Sequence, residues 1–407
     1  MGKHISKYVR YPLIILLTII GGIYSFTQAL QVLLTETNAE KVLSAWNILQ
    51  HTAPLSSWVF QPLELPVYLL FVKVLGFGTF TSIAVNVFFY LILFCSGLFI
   101  LKTRNLINVP NLLIWIALTG LPDPVWLHSI QNAPFLVLGL LLTPHFLSGY
   151  INHHRKKAAI LTLLSLTLTV FSLPKPFVHP VQSDAVHETL RALQSVFRAD
   201  FSQQPLLNFT TGRYFLMTIV LLLMVWSLIL TAKQFFEHQH KRTDQYLYAL
   251  LVFLTLLWCC LPFSGDRGQK ITLCSWLPFG TAILLILIKE DPACRELRFV
   301  RGKLSFPALV SIFSILTILF SVGPIVRSRP VSPADRVIIY LNEKNQEQGS
   351  CGQSDLALLS VAAKGKITFS TDQEAPGNTF TILRGSTKTD NASNFEEIPP
   401  YLILIHQ

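Results

Sequence analysis

Residues 81–101 read TSIAVNVFFYLILFCSGLFIL, 21 residues without one Asp, Glu, Lys or Arg. About 20 apolar residues in a helix cover a hydrocarbon core of roughly 30 Å. The stretch therefore reads as a membrane span. Working outward from it, the same reading applies to Tyr11–Leu33, Asn111–Pro122 (short), Gln131–Tyr150, Ala158–Phe177, Tyr214–Ala232, Tyr246–Phe263, Ile271–Ile288 and Ser305–Ile325. The expectation is an α-helical polytopic membrane protein of about nine transmembrane helices.

Composition agrees. Of 407 residues, 51% are hydrophobic and 13% charged, and the mean hydropathy is +0.50. A soluble domain carries about 25% charge. Half of that cannot cover a water-facing surface of this size, which excludes a soluble globule and a disordered chain. The net charge is +10. Its Lys and Arg gather in short loops between apolar runs, a topology signal rather than a nucleic-acid patch. Six cysteines are present, four of them (Cys95, Cys259, Cys260, Cys274) inside apolar runs. Their spacing forms neither a disulfide framework nor a zinc site, and Cys259–Cys260 reads as small apolar filling.

A tenth run, Val59–Gly78, contains Pro62, Glu64, Pro66 and Lys73, each costly in mid-bilayer. If it does not cross, alternate connecting segments collect 16 cations, among them Lys102, Arg104, Arg155, Lys156, Lys157 and Lys289. The longer opposite segments hold 8. The positive-inside rule then puts the N-terminus in the cytoplasm, Val59–Gly78 at the outer surface and the tail outside. The first apolar run is too long for a cleaved signal peptide and no small-residue cleavage site follows, so it reads as the first span.

Two parts follow. Residues 1–325 form the transmembrane domain, with an outer loop over 34–80. Residues 326–407 form a polar, extracytoplasmic α/β lobe behind Pro324, Pro330 and Pro333. In the lobe, Ser332-Pro333 predicts a helix start, with Val337, Ile338 and Leu341 on its apolar face. Leu356–Ala363 predicts a second helix. Lys366–Ser370, Thr379–Leu383 and Tyr401–His406 predict strands, and 384–400 a loose segment. In the outer stretch Val178–Gly212, residues Val186, Leu190, Leu193 and Phe197 share one helical face, predicting an interfacial helix over 184–201. No internal repeat is visible.

The first outer loop carries the residues of most chemical interest. It opens with Glu36-Thr37-Asn38-Ala39-Glu40 and continues through Asn47-Ile48-Leu49, Gln61-Pro62-Leu63, Tyr68 and Lys73-Val74-Leu75-Gly76. In that order these short motifs resemble the polyprenyl-phosphate-dependent GT-C glycosyltransferases, the superfamily of protein O-mannosyltransferases and lipid A aminoarabinose transferases. The likeness extends in architecture over most of the chain: one span, an outer loop with a juxtamembrane segment, a short outer turn two spans later (Asp123–Gln131), and a C-terminal soluble lobe. The chain departs from the family at the acidic pair that carries its catalytic carboxylate. The pair's place falls at Thr37-Asn38, with Glu36 and Glu40 on either side.

The resemblance implies transfer of a sugar from a polyprenyl-phosphate donor to a glycan, lipid or protein acceptor of the cell envelope, at the outer face of a bacterial inner membrane. The acceptor must lose a proton as the new bond forms, and Glu36 or Glu40 is the candidate catalytic base. The departing phosphate needs a cation or a divalent metal ion beside it. Arg267 and Lys270 are its candidate holders, with Lys73 a further outer-side cation. Glu64 would support metal or acceptor binding, and His128 in the short outer turn could contact substrate. Each residue also has an ordinary reading. Glu36 and Glu40 suit solvated acids, Arg267 and Lys270 headgroup anchors, and His128 a neighbour of the aromatic belt. Asp184, His187 and Glu188 have metal-ligand spacing, but the interfacial helix needs a polar face anyway.

Two rival readings stand beside this one. Loss of the acidic pair suits a catalytically degenerate GT-C-like scaffold or accessory protein. A lipid or glycan transporter would place paired charges deep in the spans, where this chain offers only such polar residues as Asn86 and His145. No phosphate-cradling Gly-rich loop, HExxH or nucleophile elbow is present, which argues against a nucleotide-driven pump.

Overall fold

In a computed structural model of the chain, the first apolar run is helical over Lys7–Leu30 (α1). Then come α2 (Glu36–Leu49), α3 (Leu65–Leu75), α4 (Thr79–Thr103), α5 (Val109–Thr119), α6 (Pro134–His153), α7 (Lys156–Phe171), α8 (Thr210–Phe236), α9 (Thr243–Cys260), α10 (Arg267–Cys274) and α11 (Leu277–Lys289). A two-stranded hairpin, β1 (Arg298–Phe299) and β2 (Leu304–Ser305), precedes a short helical stretch within 307–316. The lobe contains α12 (Pro333–Glu343), β3 (Gln348–Cys351), α13 (Gln353–Ala363), β4 (Thr368–Ser370), β5 (Phe380–Arg384), β6 (Phe395–Ile398) and β7 (Tyr401–Ile405). The structure describes residues 7–30, 36–58, 60, 62–119, 133–172, 210–236, 243–260, 267–290, 298–299, 304–305, 307–312, 314–316, 333–372, 379–384, 395–398 and 401–405. The expected interfacial helix 184–201 and the outer turn 123–131 lie outside them.

Four stretches of the described residues are long and apolar enough to cross a membrane: α4, α6, α9 and Thr272–Lys289, which runs from the end of α10 through α11. The chain is therefore a helical protein of membrane type carrying a small sheet. Expected spans at α1, α5, α7 and α8 are helical but do not reach that measure among the described residues. α3, with 11 residues, rises only about 16 Å, half of what a crossing needs.

The chain divides into two compact units. One holds Met1–Ala29 and Phe89–Ser328, the other Leu30–Phe88 and Arg329–Gln407. The loop 34–80, with the first residues of α4, thus groups with the C-terminal lobe.

In the first unit α11 is central. Every residue of it but Leu287 is buried, and it packs against α5, α8 and α9. Small residues allow close approach. A Cβ on Gly97 of α4 would stand 2.0 Å from the ring of Trp115 on α5. The outward sides are apolar: Ile160, Leu163, Val170 and Phe171 on α7 are each more than 60% exposed. A continuous band of such side chains suits lipid and not water.

Polar residues of this unit tie helix ends together. Arg104, just past α4, meets Asp244 at the start of α9 at 2.6 Å and donates to Ser148 of α6 at 3.2 Å. Thr243 donates to Asn152 at 2.8 Å. Asn111 of α5, fully buried, accepts from Lys289 at 2.7 Å and donates to Glu290 at 3.0 Å and to the Leu106 carbonyl at 2.8 Å. These contacts form two groups, one joining the ends of α4, α6 and α9 and the other the ends of α5 and α11. Replacing Asn111 by Leu takes one hydrogen bond each from the buried Lys289, from Glu290 and from the Leu106 carbonyl. A loss of about 2 kcal/mol is expected, read as a lower midpoint of thermal denaturation in detergent.

The second unit is built around a five-stranded sheet of order β4-β3-β5-β7-β6. β3 runs parallel to β4 and β5, with α13 as the crossover between β3 and β4; β7 lies antiparallel between β5 and β6. Ala334, Val337, Ile338 and Leu341 of α12 are buried at helical spacing. The segment expected to be loose contains β6, which takes its order from pairing with β7. α2 packs against α13 and α3. α3 stops at Gly76, whose φ of +79° favours glycine, and α4 starts three residues later. Trp46 of α2 rests on Phe77 in that turn, ring centroids 5.5 Å apart.

Candidate functional site

The most unusual chemistry of the second unit lies between α2 and α3. Along α2, Asn38, Lys41, Val42, Ala45 and Ile48 are all buried, at steps that place them on one helical stripe. Lys41 is therefore a cation on the inward face. Glu64 is the residue just before α3. Its carbonyl receives the amides of Val67 and Tyr68, both at 3.0 Å, while its side chain makes no cap bond. The carboxylate turns instead to Lys41, Nζ to Oε2 2.5 Å, with Lys41 2% and Glu64 0% exposed.

Aromatic rings enclose the pair. The Lys41 ammonium lies 5.7 Å from the Phe60 ring centroid and 5.8 Å from that of Tyr68, within reach of cation–π attraction. Trp58 stands against both Phe60 and Tyr68. Glu64 Oε1 and the Tyr68 hydroxyl are buried with no hydrogen-bond partner among the described residues. Burial pushes the Glu64 carboxyl above its ordinary range, and the Lys41 ammonium beside it pulls the other way. Burial, with Glu64 close by, also holds the Tyr68 phenol well above its ordinary value. The pair can act as a charge clamp joining the two loop helices. Exposure of its free oxygen and phenol to a polar ligand would require α2 and α3 to part.

The sequence-derived candidates divide as follows. Glu36 is the first residue of α2, and its side chain lies outside the described residues. Glu40 is exposed on α2, one position before the buried Lys41. Lys73 is exposed on α3. Glu64 is engaged as above. Arg267 opens α10 in the other unit, its side chain outside the described residues. Lys270 is 2% exposed and close enough to Cys259 and Cys274 to act on both electrostatically. His128 lies outside the described residues. The structure thus gathers Glu40, Glu64 and Lys73 in one unit and Arg267 and Lys270 in the other.

Lys41 was legible only as one more outer-side cation. Two anomalies could have paired it: a lysine on the apolar stripe of α2 needs an anion, and Glu64 is an acid within an apolar stretch. No group of three His, Cys, Asp or Glu suited to a metal occurs among the described residues. Glu64 is a single carboxylate already facing an ammonium, so this donor set does not fit the divalent metal that the resemblance suggests.

Comparison with protein-family models, with characterised proteins and with solved structures finds no significant match to this chain.

Proposed function

We propose that the chain is a GT-C-like membrane glycosyltransferase, taking a sugar from a polyprenyl-phosphate donor to a cell-envelope acceptor. The supporting observation is the union of the first loop with the C-terminal lobe in one unit, its two short helices locked by the buried Lys41–Glu64 pair. A loop held so firmly can present the exposed Glu40, and Glu36 at the head of the same helix, as a base of fixed position. In this reading nine spans cross a bacterial inner membrane, the N-terminus is cytoplasmic, and the unit containing the lobe stands outside. Arg267 and Lys270 hold the donor phosphate, Lys73 lies in the headgroup region, and His128 contacts substrate from the short outer turn. The helix over 184–201 admits the lipid chain. Glu64 acts through Lys41 to position α2.

Release of polyprenyl phosphate from a polyprenyl-phosphate-linked sugar, in membranes carrying the protein, tests the reading. Glu36→Gln and Glu40→Gln are compared at equal protein level. The true base is expected to cost at least about 100-fold. Unchanged release from both variants and their double removes the catalytic assignment.

A second reading, a non-catalytic scaffold of the same ancestry, has a specific observation in its favour. Among the described side chains of the loop, Glu64 is an acid sealed from solvent, while Thr37-Asn38 stands where the family has its acidic pair. That reading expects no release from the unmodified protein.

A further inference from the structure

We propose that Cys259 and Cys274 are joined by a disulfide in the mature protein. Cys259 is in the last turn of α9 and Cys274 ends α10. The two helices pack together, both side chains are fully buried, and the sulfurs are 3.3 Å apart. A disulfide bond measures about 2.05 Å, so the sulfurs need approach by only roughly 1.3 Å. Side-chain rotation supplies a displacement of that size. The neighbouring Cys260 is exposed, while Cys95 and Cys351 belong to other elements.

The cross-link rests on the orientation proposed above, which places this end of α9 and α10 outside, where disulfides persist. Two S–H bonds break and one S–S bond forms. Two protons and two electrons pass to a disulfide-bearing oxidoreductase, which leaves as the dithiol. Because both sulfurs are sealed in the finished fold, the exchange precedes the final packing of α9 on α10. The bond would enclose residues 260–273, and with them Arg267 and Lys270, in a covalent loop.

The test uses the full-length protein in its membranes. Membranes are quenched in acid, alkylated with N-ethylmaleimide in denaturant without reductant, digested and analysed by mass spectrometry. The expected product is a peptide pair linked through Cys259 and Cys274 that separates on reduction, with Cys95 and Cys351 alkylated. Cys260→Ser should retain the link, whereas Cys259→Ser and Cys274→Ser should each abolish it and leave the remaining thiol alkylated. Alkylation of both Cys259 and Cys274 in the unmodified protein, or a link through Cys260, overturns the proposal. A parallel sample oxidised with diamide separates two reasons for such a failure. A link that forms only with diamide assigns it to a reducing compartment, hence to the orientation. No link even then assigns it to the sulfur geometry.

Discussion

Replacing Lys41 by methionine is expected to destabilise the unit of residues 30–88 and 329–407 by roughly 3–5 kcal/mol, the range for breaking a buried ion pair from one side. The size follows from what is left behind. Glu64 is 0% exposed and its other oxygen has no hydrogen-bond partner among the described residues, so an ionised carboxylate would be stranded among Trp58, Phe60 and Tyr68. The loss depends on pH, and its sign is fixed by the direction of the shift. Burial raises the folded-state pKa of Glu64 above its unfolded value while Lys41 lowers it. Without Lys41 the folded-state value climbs further. Below the unfolded value, near the ordinary 4.5, the group is protonated in both states and the extra cost disappears. As pH rises through the folded-state value, the cost grows to its full size. Thermal denaturation in detergent from pH 4.5 to 8 should therefore show Lys41→Met diverging from the unmodified protein toward neutral pH. Adding Glu64→Leu should restore most of the stability, because an apolar pair fills such a site at little cost. A double variant no more stable than the single one would show that Lys41 and Glu64 do not meet.

The second large effect is expected at Gly97. Its added Cβ would lie 2.0 Å from Cζ2 and 2.1 Å from Cη2 of Trp115, far inside contact distance. The ring cannot step aside, since Trp115 is fully buried and flanked by Phe94 and Phe279 at centroid distances of 6.2 and 5.7 Å. Gly97→Ala should then cost about 3 kcal/mol, the upper end for overpacking. Gly22→Ala is the matched comparison. It is also within a helix, but nothing lies within 4 Å of its added Cβ, so helix propensity alone should act, stabilising by up to about 1 kcal/mol. Thermal midpoints of the two variants in detergent should move in opposite directions. Equal shifts would mean that α4 and α5 do not approach as closely as this packing requires.

Much of the secondary structure was readable because it is written in local periodicity. The apolar run at 81–101 and the spacing of Val337, Ile338 and Leu341 each fixed a helix to within a few residues. The strands around 368, 380 and 402 were visible as β-branched and aromatic clusters. β3 and β6 were not. Gln348-Gly349-Ser350-Cys351 and Phe395-Glu396-Glu397-Ile398 have little intrinsic β preference, and both are ordered by neighbours distant in sequence. The same limit applied to the site. Glu64 stood out as an acid in apolar surroundings, but its partner 23 residues earlier was invisible until α2 and α3 were folded together. The Cys259–Cys274 contact was hidden likewise, since it depends on how two helix ends meet and not on a spacing rule.

The grouping of residues 30–88 with 329–407 has a consequence for biogenesis. The two halves of that unit leave the ribosome 240 residues apart, a delay of roughly 10–50 s at ordinary translation rates. Throughout that interval α2 lacks α13, against which it packs. The early segment must wait for residues 353–363, so a product truncated before residue 353 exposes the buried face of α2 that α13 would cover. Synthesis of residues 353–363 is in this way registered on α2, about 300 residues upstream.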